Sequence, residues 1–148
     1  MGDHAVRPAD HPERDQRDDE GSVLLLTLGY AFIAILLVLV CVDATSLYLA
    51  HKRADAAADA AALAGADGFT VSVGPDGATA VLTDQGVHDQ ASALLGELGT
   101  ATLVSAGTPD GLSARVTVQT RWRPPVLTLF VPDGFTLEAT ATSRTALR

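Results

Sequence analysis

An uninterrupted apolar run constrains this chain more than any other feature of its sequence. The run, SVLLLTLGYAFIAILLVLVCV, covers residues 22–42, and no charged residue lies between Glu20 and Asp43. A helix of this length spans about 30 Å, which matches the hydrocarbon core of a bilayer. The rest of the chain is too short to enclose a helix that is apolar on every side, so we predict a transmembrane helix rather than a buried one.

Length, charge and cysteine content exclude several classes of protein. The 148 residues leave room for the span and one compact domain. The net charge is −8 with only ten Lys and Arg residues, so the chain has no basic surface for nucleic acid. Its single cysteine, Cys41, lies within the span, which excludes an intramolecular disulfide and a cysteine zinc site.

The residues before the apolar run, 1–21, form an acidic leader that we expect to be disordered. They are rich in charge and poor in large apolar side chains. The leader ends in a glycine followed by a serine and the apolar helix, which is the layout of a type IV prepilin leader. Cleavage between Gly21 and Ser22 is therefore a candidate processing step. Leu26, however, stands where pilins usually carry a glutamate.

Other fates of this end of the chain compete with prepilin cleavage. Signal peptidase I could cut after Ala44, but the apolar run exceeds the roughly 7–15 residues of a cleaved signal peptide. Lipoprotein processing at Cys41 is disfavoured by the bulky valines before it. We therefore favour an uncleaved signal anchor in the cell membrane, crossing it once. This layout places the leader in the cytoplasm and the C-terminal part outside.

After the span, the sequence predicts that the helix continues as an alanine-rich stalk over residues 43–66. Alanine, the strongest helix former, occupies nine of the thirteen positions from 54 to 66. Small residues recur there at spacings of three and four, so they share one face. This small-residue stripe comprises Ala50, Ala54, Ala57, Ala58, Ala61 and Gly65. Another backbone could approach such a face closely, and we predict that it contacts a partner helix, with a helix-mediated oligomer as one form of that contact.

The segment after the stalk, residues 67–148, predicts a small α+β domain. Residues 69–73 and 78–82 read as strands around a Gly-Pro-Asp-Gly turn. An amphipathic helix over residues 87–98 follows, which Thr83 or Asp84 can cap and which Gly99 ends. Its apolar face comprises Val87, Ala91, Leu94, Leu95 and Leu98. Strands over residues 100–106, 112–122 and 136–145 follow. We expect one antiparallel sheet of three or four strands with the helix packed across it.

Two details of this domain have competing interpretations. The apolar run at residues 126–131 fits a helix or a strand equally well. Trp122, followed by Arg-Pro-Pro, fits a core tryptophan better than an exposed edge that docks on a partner or on the membrane surface.

The span and the helix after it carry a resemblance to a known family. A span followed by Val42-Asp43, LYLA at residues 47–50, Lys52-Arg53 and AADAAALAGA at residues 57–66 resembles the N-terminal region of TadE/TadG-like proteins of the Flp pilus assembly, or tight adherence, system. A looser likeness to short TadG-related proteins of actinobacteria extends into the C-terminal segment. The resemblance implies a non-enzymatic envelope protein whose partners are other components of a pilus or secretion system.

The sequence carries no motif that indicates an enzymatic function or a cofactor. The sequence has no G-x-S-x-G, P-loop, H-E-x-x-H or C-x-x-C motif, and His88 is the only histidine of the C-terminal segment. The leader histidines have no fixed geometry for a metal ion. Two hypotheses remain: a component of a Flp-type pilus or secretion apparatus, pseudopilin-like or an assembly factor, and a membrane-anchored module that binds an unrelated ligand or partner outside the cell.

Overall fold

A long apolar helix precedes a small α+β domain in the computed structural model of the chain, as predicted. The structure describes residues 15–75, 77–129 and 131–144. In chain order the elements are α1 (Asp15–Ala66), β1 (Thr70–Gly74), β2 (Gly77–Val81), α2 (Asp84–Leu98), β3 (Thr102–Gly107), β4 (Ser113–Trp122), a 3-10 helix (Leu127–Leu129) and β5 (Phe135–Arg144). The chain forms two compact units, one up to Cys41 and one from Val42 onward.

The first unit contains the apolar part of α1. The helix begins at Asp15, before the predicted start at Ser22, so the expected disorder is wrong for residues 15–21. Gln, Arg and Glu are good helix formers, and an existing helix gains one hydrogen bond for each residue added. Residues 1–14 of the predicted leader lie outside the described residues.

Within α1, Gly21–Ala66 is long and apolar enough to cross a membrane, with a mean hydropathy of 2.9 over its most apolar window. None of that window is buried within the protein. The Thr27 hydroxyl donates a hydrogen bond to the Val23 carbonyl at 2.8 Å, which satisfies this polar group inside the helix.

The second unit is built on a three-stranded antiparallel sheet in the order β3-β4-β5. Along β4, Ala114, Val116 and Val118 are buried while Arg115 and Arg121 are exposed, which confirms the predicted alternation of a sheet with one packed face. In β5, Ala139 is buried on the same side.

The strands β1 and β2 form a separate two-stranded sheet rather than a fourth strand of the main sheet. All five residues of β1 are exposed. Only Leu82 and Thr83 separate β2 from α2. The α2 helix contacts β3 of the main sheet, whereas β1 and β2 pair with each other.

The helix α2 has the predicted caps and the predicted buried face. The Thr83 side chain accepts a hydrogen bond from the Gly86 N–H, and Gly99 takes the left-handed conformation (φ 63°) that ends the helix. Val87, Ala91 and Leu95 are buried. They join the core formed by the inner face of β4.

Candidate functional site

The small-residue stripe of α1 lies in the core of the second unit. Ala54, Ala58 and Ala61 are each no more than 1% exposed, and Ala57 and Gly65 are also buried, whereas Ala50 is half-buried. These alanines belong to one apolar cluster with Val87 and Leu95 of α2 and with the inner residues of β4.

Gly65 is a point of close approach between α1 and its neighbours. A Cβ atom added there would lie 2.8 Å from Cγ1 of Val87 and 3.4 Å from Cβ of Ala114. A distance of 2.8 Å is shorter than carbon atoms tolerate, so only glycine fits without movement of Val87. Gly68, just past the helix, similarly lies against the Gly86 carbonyl.

The predicted role of the small-residue stripe therefore needs correction. Close backbone approach was the right physical expectation, but the surfaces that approach are the chain's own α2 and β4. The buried members of the stripe have no free area for a partner helix, because residues of the same chain cover them. Residues 54–66 are consequently the innermost helix of the domain rather than a free stalk.

The opposite face of α1 is open. Leu49 is 47% exposed, Leu63 is 60% exposed, and Ala56 between them is exposed as well. They follow one another at intervals of seven residues and so lie on one side of the helix. We call Leu49, Ala56 and Leu63 the outer face of α1. It is the face of this segment that a partner helix can reach.

The candidate cleavage site lies within the helix. Gly21 and Ser22 are both helical and exposed, and nothing lies within 4 Å of a Cβ atom built on Gly21. The bond between them is part of α1, which starts upstream at Asp15. Whether this bond is cut stays a prediction.

Two polar contacts join the part of α1 within the second unit to the last residue of β4 and to the loop that follows it. The carboxylate of Asp43 accepts a hydrogen bond from the backbone N–H of Val126 at 3.1 Å. The indole N–H of Trp122 donates to the hydroxyl of Ser46 at 3.1 Å. Asp43 is only 8% exposed, so its carboxylate is held in a defined position beside this loop.

The described part of the loop, residues 123–129 and 131–134, has its own internal contacts. Pro124 is fully buried, and its carbonyl accepts a hydrogen bond from the Thr128 hydroxyl. A 3-10 helix, Leu127–Leu129, occupies the run that the sequence left unassigned, and the Val131 N–H donates an i→i+4 hydrogen bond to the Leu127 carbonyl at 2.9 Å. Gly134 has a left-handed φ of 66° and lies directly against the Trp122 carbonyl, where no side chain fits.

Trp122 is half-buried and its ring stacks on Phe135, with ring centroids 6.2 Å apart and an angle of 16° between planes. It is therefore neither the core tryptophan that we favoured nor a free edge. Phe135 on the other side of the stack is 54% exposed.

The opposite end of the sheet is organised by Asp110, in the turn between β3 and β4. Its Oδ1 accepts hydrogen bonds from the N–H groups of Leu112 (3.0 Å) and Ser113 (2.6 Å). Its Oδ2 lies 3.7 Å from Nη2 of Arg144. These backbone hydrogen bonds, first that from Leu112 and then that from Ser113, hold the pKa of Asp110 below its ordinary value of 3.8. The role of this carboxylate is structural.

The described residues offer no arrangement with evident chemistry. No group of three His, Cys, Asp or Glu side chains in this part of the chain is placed to hold a metal ion. His88 is exposed on α2, with Nδ1 3.6 Å from Asp89. An open groove of about 440 Å³ at the end of α2 is lined largely by glycine, threonine and polar residues, unlike the enclosed apolar sites that usually bind small molecules.

Comparison with known proteins supports the resemblance in the N-terminal part. Residues 21–68 match the model of a family described as putative Flp pilus-assembly TadE/G-like. The match covers the candidate span and the whole small-residue stripe, which ends at Gly65. No curated protein and no solved structure matches the chain. The resemblance stated above is thus confirmed for residues 21–68, and it relates the chain to Flp pilus assembly.

Proposed function

We propose that this protein is a non-enzymatic, membrane-anchored component of a Flp-type pilus assembly or secretion apparatus. The observation that carries the proposal is that the family match, residues 21–68, coincides with α1 after its polar start. The matched segment is therefore one helix with two tasks. Its apolar part suits the membrane, and its alanine-rich part completes the fold of a domain outside it.

The exposed surfaces of α1 suggest where other components bind. The buried part of the stripe is covered within the chain, so a partner helix that packs beside residues 49–63 would use the outer face formed by Leu49, Ala56 and Leu63. Two leucines more than 45% exposed on an otherwise alanine-rich helix are suited to apolar contact along the part of α1 beyond the span. We assign assembly contacts with other pilus or secretion proteins to this face.

A genetic experiment tests the proposal. Deletion of the gene in the source organism should abolish or strongly reduce Flp pili or secretion by that system, and the parental gene should restore it. An unchanged pilus count and unchanged secretion in the deletion strain contradict the proposal. They would favour the alternative of an unrelated binding module.

Crosslinking tests the assigned face. Leu49→Cys, Ala56→Cys and Leu63→Cys, each in a Cys41→Ala background, should form crosslinked products only in cells that contain the pilus machinery. Leu112→Cys is the matched control, because Leu112 is 53% exposed but lies at the far end of β4. Crosslinking at Leu112 alone, or equal products without the machinery, argues against the outer face as the contact.

The proposed orientation places the N-terminus in the cytoplasm and residues 67–148 outside. A reporter that is active only in the cytoplasm, fused after Arg148, should be silent. Activity of the reporter would show that the C-terminal domain lies in the cytoplasm and would contradict the proposed orientation. Mass spectrometry of the mature N-terminus in membrane fractions then separates a pseudopilin-like protein that begins at Ser22 from an uncleaved assembly factor.

A further inference from the structure

The hydrogen bond to Asp43 fixes the level of the β4–β5 loop relative to the end of the apolar run. Asp43 is the first charged residue after that run, so it lies where the hydrocarbon core of a bilayer ends. The Val126 N–H lies 3.1 Å from its carboxylate. Ser46, which binds Trp122, is three residues further along the helix, or about 4.5 Å beyond Asp43.

These distances place the loop within the headgroup layer. The polar region of a bilayer is about 5–7 Å thick on each side of the hydrocarbon core. Asp43 and Ser46 therefore both lie within the thickness of this layer, and the groups bonded to them lie at the same levels. The loop is at lipid level because of its attachment to α1, whether or not any pilus protein is present.

Apolar side chains are exposed at this level. Leu127, next to Val126, is 45% exposed, and Phe135, which stacks on Trp122, is 54% exposed. Aromatic rings with a polar group, such as the Trp122 indole, concentrate at membrane interfaces in general. Exposure of leucine and phenylalanine side chains to water is unfavourable. Their transfer to the region of the lipid headgroups and first acyl carbons lowers the free energy.

The loop is preorganised for such a contact. The buried Pro124, the 3-10 turn and the close fit of Gly134 against Trp122 hold Leu127 and Phe135 in place without any lipid. A surface that is already ordered loses little conformational entropy when it binds. Arg123 and Asp133 in this loop are both exposed and balance each other in charge, so the surface does not require anionic lipid.

We propose that residues 122–129 and 131–135 form a membrane-contact surface, with Leu127 and Phe135 inserted into the outer headgroup layer of a phospholipid bilayer. The surface gives the protein a second attachment to the membrane besides the span. It would limit tilting of the domain relative to the membrane plane and keep the outer face of α1 at a constant height. This inference rests on the membrane span and not on the proposed function in pilus assembly.

Nitroxide accessibility in the full-length protein tests the proposal. Leu127→Cys and Phe135→Cys, in a Cys41→Ala background, would be spin-labelled and placed as single copies in phosphatidylcholine nanodiscs. The ratio of collision rates with oxygen to those with a water-soluble nickel complex should be several-fold higher at both positions than at Leu112→Cys. Leu112 is 53% exposed, nearly the same as Phe135, but it lies beyond the opposite end of the ten-residue β4, roughly 30 Å away.

Equal, water-like ratios at all three positions overturn the proposal. A high ratio that appears only with several copies per disc also overturns it, because the surface would then contact a second copy of the chain. A requirement for phosphatidylglycerol would contradict the assignment of an uncharged interface.

The parent protein provides a measurement without substitution if a labelled variant fails to fold. Trp122 is the only tryptophan of the chain. Its fluorescence in nanodiscs should be quenched most by lipids labelled in the headgroup and less by lipids labelled deep in the acyl chain. Absence of quenching by the headgroup label contradicts the proposal.

Discussion

The backbone N–H of Val126 donates a hydrogen bond to Oδ1 of Asp43, at 3.1 Å, although 83 positions separate the two residues in sequence. The contact joins the helix to the β4–β5 loop at the point where the apolar run ends. Together with the buried stripe further along α1, it means that the domain is attached along the helix and not only at its end.

Removal of the Asp43 carboxylate should destabilise the domain. Asp43→Ala leaves the Val126 N–H of a half-buried residue without its acceptor, which we expect to cost about 1–3 kcal/mol in the free energy of unfolding. Asp43→Asn keeps an oxygen in the same place and should stay close to the parent. Unfolding followed by Trp122 fluorescence in nanodiscs measures both. Equal stability of Asp43→Ala and the parent contradicts a contribution from this hydrogen bond.

Leucine substitutions on α1 distinguish its two faces. Ala58→Leu adds bulk at a position that is 1% exposed. We expect it to lower the free energy of unfolding by about 1–3 kcal/mol. Ala56→Leu, two positions away on the exposed outer face, is the matched control and should change stability little.

The effect of Ala58→Leu should be the same with and without the pilus machinery, because the residues it displaces belong to its own chain. A variant that is as stable as the parent in isolation but loses a crosslinked partner in cells would restore the partner-helix interpretation of the stripe.

Two helical glycines should respond with opposite signs to substitution by alanine. Gly65→Ala places a Cβ atom 2.8 Å from Val87, and we expect a loss of about 1–3 kcal/mol. Gly96→Ala in α2 has open space around it, so the better helix propensity of alanine should raise stability by about 0.5–1 kcal/mol. Thermal unfolding of the two variants measures the difference. The same sign for both would mean that α1 does not approach α2 closely at Gly65.

The pKa of Asp110 predicts part of the acid sensitivity of the domain. Because this pKa is lower in the folded state than its ordinary value of 3.8, the ionised carboxylate stabilises the fold above that pH. The contribution is lost as the pH falls through the lower, folded-state value. Asp110→Asn, which keeps an acceptor oxygen but no charge, should therefore make Tm depend less on pH below about 4.

Thermal unfolding between about pH 2 and pH 7 measures this dependence. Asp110→Ala also loses the acceptor for Leu112 and Ser113, so it should be less stable than the parent at neutral pH. An acid dependence of Asp110→Asn equal to that of the parent contradicts the assignment.

Local sequence patterns predicted the elements of the second unit well. The alternation along β4 and the spacing of Val87, Ala91 and Leu95 depend on residues close together in sequence, and so do the caps of α2. These features are set by backbone periodicity and by which side of an element is apolar. The separation of the β1–β2 hairpin from the main sheet was not predictable in this way, because strand order depends on how distant segments pack.

The candidate site was predicted only in part. The spacing of small residues correctly indicated a face of close approach on α1, but spacing does not reveal which backbone approaches. An alanine face looks the same whether it meets a second helix in the membrane or the sheet of its own domain. The contacts of Asp43 and Ser46 carried no local signal. A single aspartate after a span is an ordinary residue until the loop around Val126 folds against it.

Native-state hydrogen exchange of the full-length protein in nanodiscs tests the central claim most directly, namely that residues 54–66 of α1 belong to the core of the domain. Val116→Ala weakens the sheet at a fully buried position of β4. If α1 and β4 share one core, the slow exchange of amides 54–66 should accelerate by the same factor as that of the β4 amides, since both then open in one cooperative unit. Unchanged exchange at residues 54–66, with acceleration confined to the strands, would show that the helix is an independent stalk and would contradict the account.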